Sequence, residues 1–142
     1  MRRARPARVR WSAMRRFIPV EDWEDPRHRR GVDGERLALA WLTSCGWLIE
    51  AHRFRMGRHD VDLVARRGNL VAFVEVKTRA DDSFGSPLEA IGWRKRRSIG
   101  QVAEAWRLRH GRPGDEYRFD IVTVVGSGAE QMVEHVADAW RL

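Results

Sequence analysis

HDVDLVARRGNLVAFVEVKTR, residues 59–79, decides the fold. Asp60, Val61, Asp62, Leu63 and Val64 alternate polar with apolar, the period-2 mark of a half-buried strand. Leu70 to Val76 is apolar, β-branched and aromatic apart from Ala72 and Glu75, as a buried strand requires. Gly68-Asn69 between them is a dipeptide that closes two-residue hairpins.

That turn predicts a register. With Gly68 and Asn69 as the loop, Arg67 faces Leu70, Asp62 faces Glu75, and Asp60 faces Lys77. Residues two apart on a strand share a face, so Asp60, Asp62, Glu75 and Lys77 are expected to project together. Directly opposite side chains lie about 5 Å apart at Cβ, so Asp62 and Glu75 would repel without a cation between them. Carboxylates crowded on an apolar ribbon beside one ammonium point to a Mg²⁺ or Mn²⁺ site. The plainer alternative is a solvated face with an Asp60–Lys77 pair.

The lysines sharpen this reading. Of 27 basic residues only Lys77 and Lys95 are lysine. Lysine is a compact point charge, whereas arginine is a wide planar fork. A small cation beside two metal-binding carboxylates can orient water and stabilise phosphorane-like charge.

Asp62 followed by Glu75-Val76-Lys77 on the next strand resembles the Asp…(Asp/Glu)-x-Lys pattern of restriction-endonuclease-like nucleases. More closely, the chain resembles the YraN-type family of uncharacterised bacterial proteins. The marks are Gly31-x-x-Gly34-Glu35, Asp60-Val61-Asp62-Leu63, Phe73 to Arg79, Lys95, and Arg118-Phe119-Asp120-Ile121-Val122. The resemblance covers about residues 31–125 and departs at His59-Asp60, where the family usually carries Gly-Glu. It implies a divalent-metal-dependent nuclease acting on DNA, with Asp62, Glu75 and the Val76 carbonyl as metal ligands and Asp60 as a secondary ligand. Lys77 would act on the water and the developing charge. Glu35 would add a carboxylate, although near the start of a helix it also suits the dipole.

A chain of 142 residues, 43% hydrophobic and 33% charged, has the composition of a globular protein. Its net charge of +7 is uneven: residues 1–30 carry ten arginines against four acids, and the remainder is nearly neutral. Residues 1–30 are therefore expected to form an Arg-rich disordered arm and linker, and residues 31–142 a single nuclease-like domain. No apolar run approaches transmembrane length and no secretory signal is visible, so a cytoplasmic protein without a membrane partner is expected. The single cysteine, Cys45, excludes an internal disulfide and is expected to be buried or half-buried.

A helix is predicted from near Asp33, with Leu37, Ala38, Trp41, Leu42 and Cys45 inward and Gly46 as its stop. Residues 47–54 read as a strand preceding the hairpin. Ser86-Pro87-Leu88-Glu89 matches a capping box, and Gly92 predicts a break. The second helical piece would turn Ile99, Val102, Ala103, Trp106 and Leu108 inward. YRFDIVTVV and QMVEHVA close the chain as strands, with Arg118 the simplest partner for Asp120.

This order, α-β-β-β-α-β(-β), predicts an α/β fold with a restriction-endonuclease-like central mixed sheet flanked by helices. Arg94-Lys95-Arg96-Arg97 is the densest basic run outside the arm, and four adjacent helical residues point all round. Arg79, Arg94, Lys95 and Arg97 are candidate nucleic-acid contacts, with a solvated helix face as the bland alternative. The rival to a nuclease is a non-catalytic nucleic-acid-binding module on the same fold.

Overall fold

A computed structural model describes residues 29–79, 87–126 and 130–141. The Arg-rich arm up to residue 28 and the Ser86 cap lie outside the described residues. The elements run α1 (Arg29–Ser44), β1 (Leu48–Met56), β2 (His59–Arg67), β3 (Leu70–Arg79), a 3₁₀ turn (Pro87–Ala90), α2 (Trp93–His110), β4 (Glu116–Val125) and β5 (Met132–Trp140). The five strands form one sheet in chain order. Strand β4 runs parallel to β3, with α2 as the crossover, and the other pairs are antiparallel. The fold is mixed α/β, in the order that the pattern of residues predicts.

Each face of the sheet buries its own cluster. Ala38, Leu39 and Leu42 of α1 pack with Trp47, Ile49, Leu63, Ala65, Ala72, Val74 and Val122. Ile99, Val102 and Trp106 of α2 pack with Ala51, Val61, Val64, Val71, Phe73 and Ile121. Strand β3 has Ala72 and Val74 on the α1 side and Val71 and Phe73 on the α2 side, which accounts for its nearly unbroken apolar run.

Helix phase corrects three expectations. Leu108 is 72% exposed, because it stands two residues, or about 200°, beyond Trp106. His110 takes the inward place instead, with its ring 4.7 Å from that of Trp106. On α1 the buried stripe is Glu35, Ala38, Leu39 and Leu42, so Trp41 turns outward and Cys45 is exposed. The helix also begins at Arg29, ahead of the expected start near Asp33.

The hairpin register is the predicted one from Arg67–Leu70 to Leu63–Val74, where the ladder stops. The alternation of faces is interrupted nearby. Ala51 and Phe54 reach the same α2-side cluster although three residues apart, and so do Val61 and Val64. Between Ala51 and Phe54, Arg53 adopts a left-handed φ of 49°, and no Arg53–Asp62 pair appears in the β1–β2 register. The period-two alternation of β2 is therefore broken between Val61 and Val64. A left-handed non-glycine residue costs about 1–2 kcal/mol, and this one lies on β1 between the pairs His52–Leu63 and Phe54–Val61.

Away from that end, charge is buried in closed networks. At the β1 irregularity between Ile49 and Ala51, the Glu50 carboxylate accepts from Arg66 Nε at 2.8 Å. The same guanidinium makes a two-pronged bond to Asp115 at 2.6 and 2.8 Å, which holds the Asp115 carboxyl below its ordinary range despite burial. On β4, Asp120 is fully buried and accepts from Arg118 at 2.8 and 2.9 Å, as expected. It also bonds His135 Nε2 at 2.7 Å and the Asp138 N–H at 2.9 Å.

Candidate metal and nucleic-acid site

The carboxylates gather where β2 and β3 part. Past Leu63–Val74, the Val76 N–H donates to Asp62 Oδ2 at 2.8 Å, so a side chain takes over from the main-chain ladder. Glu75 is 3% exposed, and its Oε1 has no hydrogen-bond partner. Burial first, then the charge and contact of Glu75, and then the charge of Glu35, push the Asp62 carboxyl well above its ordinary pKa. The Val76 N–H opposes this and is outweighed. A half-buried Asp62 beside a buried Glu75 with one unsatisfied oxygen makes an acidic pocket with excess acceptor capacity.

Helix α1 brings Glu35 to the same place from the opposite layer. Gly34 makes this approach possible, because a Cβ there would collide with Thr78 Oγ1 on β3. Glu35 is 6% exposed and bonds His52 Nε2 at 2.8 Å and Arg53 Nε at 3.4 Å. Burial lowers the His52 pKa, and the nearby Glu35 only partly offsets that. Glu35 therefore braces β1 at His52 and Arg53 while its charge reaches Asp62. The sequence marks Glu35 through the glycine before it, but nothing in the sequence marks His52.

Helix α2 contributes the cation. Lys95 Nζ lies 3.0 Å from Asp60 Oδ1, 3.2 Å from the Asp60 carbonyl and 3.8 Å from Glu75 Oε2. Burial opposes its charge, but Glu75, Asp60 and Asp62 together raise the ammonium above its ordinary pKa. One turn on, Ser98 Oγ bonds His59 Nδ1 at 2.7 Å. Asp60 thus pairs with Lys95, and the cross-strand Asp60–Lys77 pair does not form. Lys77 is half-buried and makes no hydrogen bond or ion pair among the described residues.

The candidate nucleic-acid residues divide. Arg94 and Arg97 are exposed, and Arg94 lies over the Trp93 ring at 5.3 Å. Arg96 is tied to the Ile91 carbonyl at 2.8 Å, and Arg79 is half-buried and engaged. Lys95 is committed to the acidic pocket.

These donors fit a hard divalent ion in one respect and limit it in another. Among the described residues no three His, Cys, Asp or Glu side chains converge as a ready cage. Mg²⁺ is commonly held by one or two carboxylates, with water and substrate phosphate completing its shell. Asp62 and Glu75 fit that pattern, and the unsatisfied Glu75 oxygen supplies the independent sign of a missing partner. In an extended strand the N–H and C=O of one residue point to the same side, so the Val76 carbonyl also faces the Asp62 side.

Residues 34–124 match the model of an uncharacterised protein family designated UPF0102. The chain belongs to UPF0102. This is the YraN-like group whose marks the sequence carries. The UPF0102 protein of Rhodococcus jostii strain RHA1 is 40% identical over 111 residues, which is 78% of this chain and 94% of that protein. The relative from Anaeromyxobacter dehalogenans strain 2CP-C is 40% identical over 116 residues, 82% of this chain and 87% of its own length. That from Myxococcus xanthus strain DK1622 is 32% identical over 127 residues, 89% and 97% respectively. The UPF0102 match takes in Gly34, Glu35, Asp62, Glu75, Lys77, Lys95 and Asp120, so the whole acidic pocket lies within it. Among the described residues no helix is long and apolar enough to cross a membrane.

Proposed function

We propose that this UPF0102 chain is a divalent-metal-dependent nuclease acting on DNA, with its α/β sheet built in the restriction-endonuclease-like manner. The observation that carries the reading is buried Glu75 with its unsatisfied oxygen beside half-buried Asp62, at the parting of β2 and β3. Asp62, Glu75 and the Val76 carbonyl would hold Mg²⁺ or Mn²⁺, with Asp60 secondary. When bound, such an ion supplies Lewis-acid polarisation of a phosphoryl oxygen and makes water a better nucleophile near neutral pH. The Val76 N–H fixes the Asp62 carboxylate in direction. Lys77, two residues from Glu75 and without an ion pair among the described residues, is suited to orient water and to stabilise charge at phosphorus. Glu35 acts through Asp62 and through the brace on Arg53. Arg94 and Arg97 offer phosphate contacts on the outer side of α2. A cytoplasmic location goes with this reading.

A second reading is a non-catalytic nucleic-acid-binding module. It is favoured by one observation: Lys95 already neutralises Asp60 and Glu75 without a metal ion. The deciding experiment incubates linear, single-stranded, flapped and branched DNAs with Mg²⁺ or Mn²⁺, comparing wild type with Asp62→Asn. Metal-dependent cleavage lost in the variant supports the nuclease. DNA binding without cleavage of any substrate supports the binding module.

A further inference from the structure

Lys95 occupies ground that a metal ion would also claim. Its ammonium contacts Asp60 through both side chain and main chain and stands 3.8 Å from Glu75 Oε2. That last distance is too long for a good hydrogen bond, so Glu75 is neutralised more than satisfied. Its other oxygen, Oε1, has no donor at all. The other basic side chains of the run do not share the role: Arg96 bonds the Ile91 carbonyl, while Arg94 and Arg97 are exposed. With 36% of its side chain exposed, Lys95 can swing into solvent without opening the α2-side core.

We propose that Lys95 is the resident counter-ion of the Asp60–Glu75 carboxylates and that a divalent cation must displace it to bind. The inference rests on the metal-site reading and deepens it, because it makes Lys95 the residue that sets the ion's affinity. Two positive groups cannot both lie against the same pair of carboxylates, one of them buried, without mutual repulsion. Without the ion, Lys95 offsets the cost of burying Glu75. With the ion, that service is redundant and the ammonium is expelled. Removing Lys95 therefore affects the two states in opposite directions. A lysine of merely structural importance would weaken both.

The test titrates Mn²⁺ calorimetrically into wild type, Lys95→Met, Lys95→Gln, Lys95→Arg and Arg94→Met, and measures the Tm of each in chelator. Arg94→Met removes the same charge from the same helical turn without touching the carboxylates. Lys95→Met and Lys95→Gln should bind Mn²⁺ at least tenfold more tightly, yet melt several degrees lower without metal. Lys95→Arg and Arg94→Met should stay within about threefold of wild type in affinity, since one keeps the charge and the other never faced the site. If wild type binds Mn²⁺ and both neutral variants at position 95 bind equally or more weakly, the displacement proposal is overturned while the metal site stands. If none of the five proteins binds Mn²⁺, the metal reading falls and the proposal with it.

Discussion

The Val76 N–H donates to Asp62 Oδ2 at 2.8 Å, with Asp62 one position and Val76 two positions past the last main-chain pair of the hairpin. Strand β2 keeps its hold on β3 there through a carboxylate rather than a carbonyl. An acidic side chain is thereby pinned between two strands, beside the buried carboxylate of Glu75.

That arrangement gives the metal-free protein an inverted pH dependence. Burial and Glu75 raise the folded pKa of Asp62 well above the ordinary carboxylate value. Between the unfolded value near 3.9 and the raised folded value, the folded state holds more protons, so stability falls as pH rises. The slope from this one group can reach about 1.4 kcal/mol per pH unit inside that window. In Asp62→Asn this contribution vanishes, while the amide oxygen can still accept the Val76 N–H. Urea unfolding in chelator across a pH series checks this. An identical slope in wild type and variant would show that Asp62 is not the group responsible.

The paired substitution Asp62→Asn with Glu75→Gln should abolish Mn²⁺ binding. It should also raise the metal-free Tm by roughly 3 °C or more, since neutral isosteres do not repel and about 1 kcal/mol moves a domain of this size by that much. Calorimetry with and without Mn²⁺ reads both effects. Unchanged Mn²⁺ affinity would remove this pair from the site.

Gly34→Ala should cost roughly 1–3 kcal/mol, the usual range for overpacking, because the new methyl would meet Thr78 Oγ1. The clash is with the hydroxyl, and Thr78 Cβ lies 3.7 Å from the added atom, at ordinary contact distance. Thr78→Ala should therefore restore most of the loss, and a double-mutant cycle should give coupling well above 0.5 kcal/mol. Purely additive losses would mean that α1 does not seat against β3 at this point.

The parts of the molecule legible in the sequence were those fixed by neighbours along the chain. Gly68-Asn69 sets the hairpin, the hairpin sets the register as far as Leu63–Val74, and Asp62 and Glu75 follow as neighbours just past its end. Lys95 was visible as one of two lysines, but its place was not. Only the packing of α2 carries it across to Asp60, 35 positions earlier in the chain. The left-handed residue Arg53 carries no glycine to announce it, so the break in alternation was invisible, and Asp60 is taken from Lys77 by Lys95 of a distant helix. The Glu50–Arg66–Asp115 network likewise joins charges 16 and 49 residues apart, beyond the reach of any local pattern.

His135 offers a test of structural charge away from the pocket. It is one of three donors to the fully buried Asp120, and those bonds overcome burial to lower the Asp120 pKa. The stability they contribute is present above the unfolded carboxylate value and is lost as pH falls through the lowered folded one. His135→Ala leaves one lone pair unanswered and should cost about 1–3 kcal/mol near neutral pH. The loss should shrink below pH 4, where Asp120 protonates in the unfolded chain. A loss independent of pH would assign His135 to packing instead.

Lys77 separates enzyme from binding module. It follows Glu75 by two residues on β3, is half-buried, and has no ion pair among the described residues, unlike Lys95. On the metal-site reading, an ammonium beside the acidic pocket without an ion pair among the described residues is available for charge that develops on the substrate. If the protein is a nuclease, Lys77→Ala should leave Mn²⁺ binding and DNA affinity nearly unchanged, since one of many cations is lost. Cleavage should fall by roughly two or more orders of magnitude, the scale for removing one group that stabilises transition-state charge. Lys77→Arg should rescue poorly, because a planar fork does not fit the place of a point charge. If the protein only binds, neither variant has metal-dependent cleavage to lose, and both shift affinity by a modest electrostatic step. Single-turnover cleavage of the best substrate, measured beside DNA affinity for wild type and both variants, distinguishes these outcomes. Full cleavage in Lys77→Ala would exclude Lys77 from the chemistry.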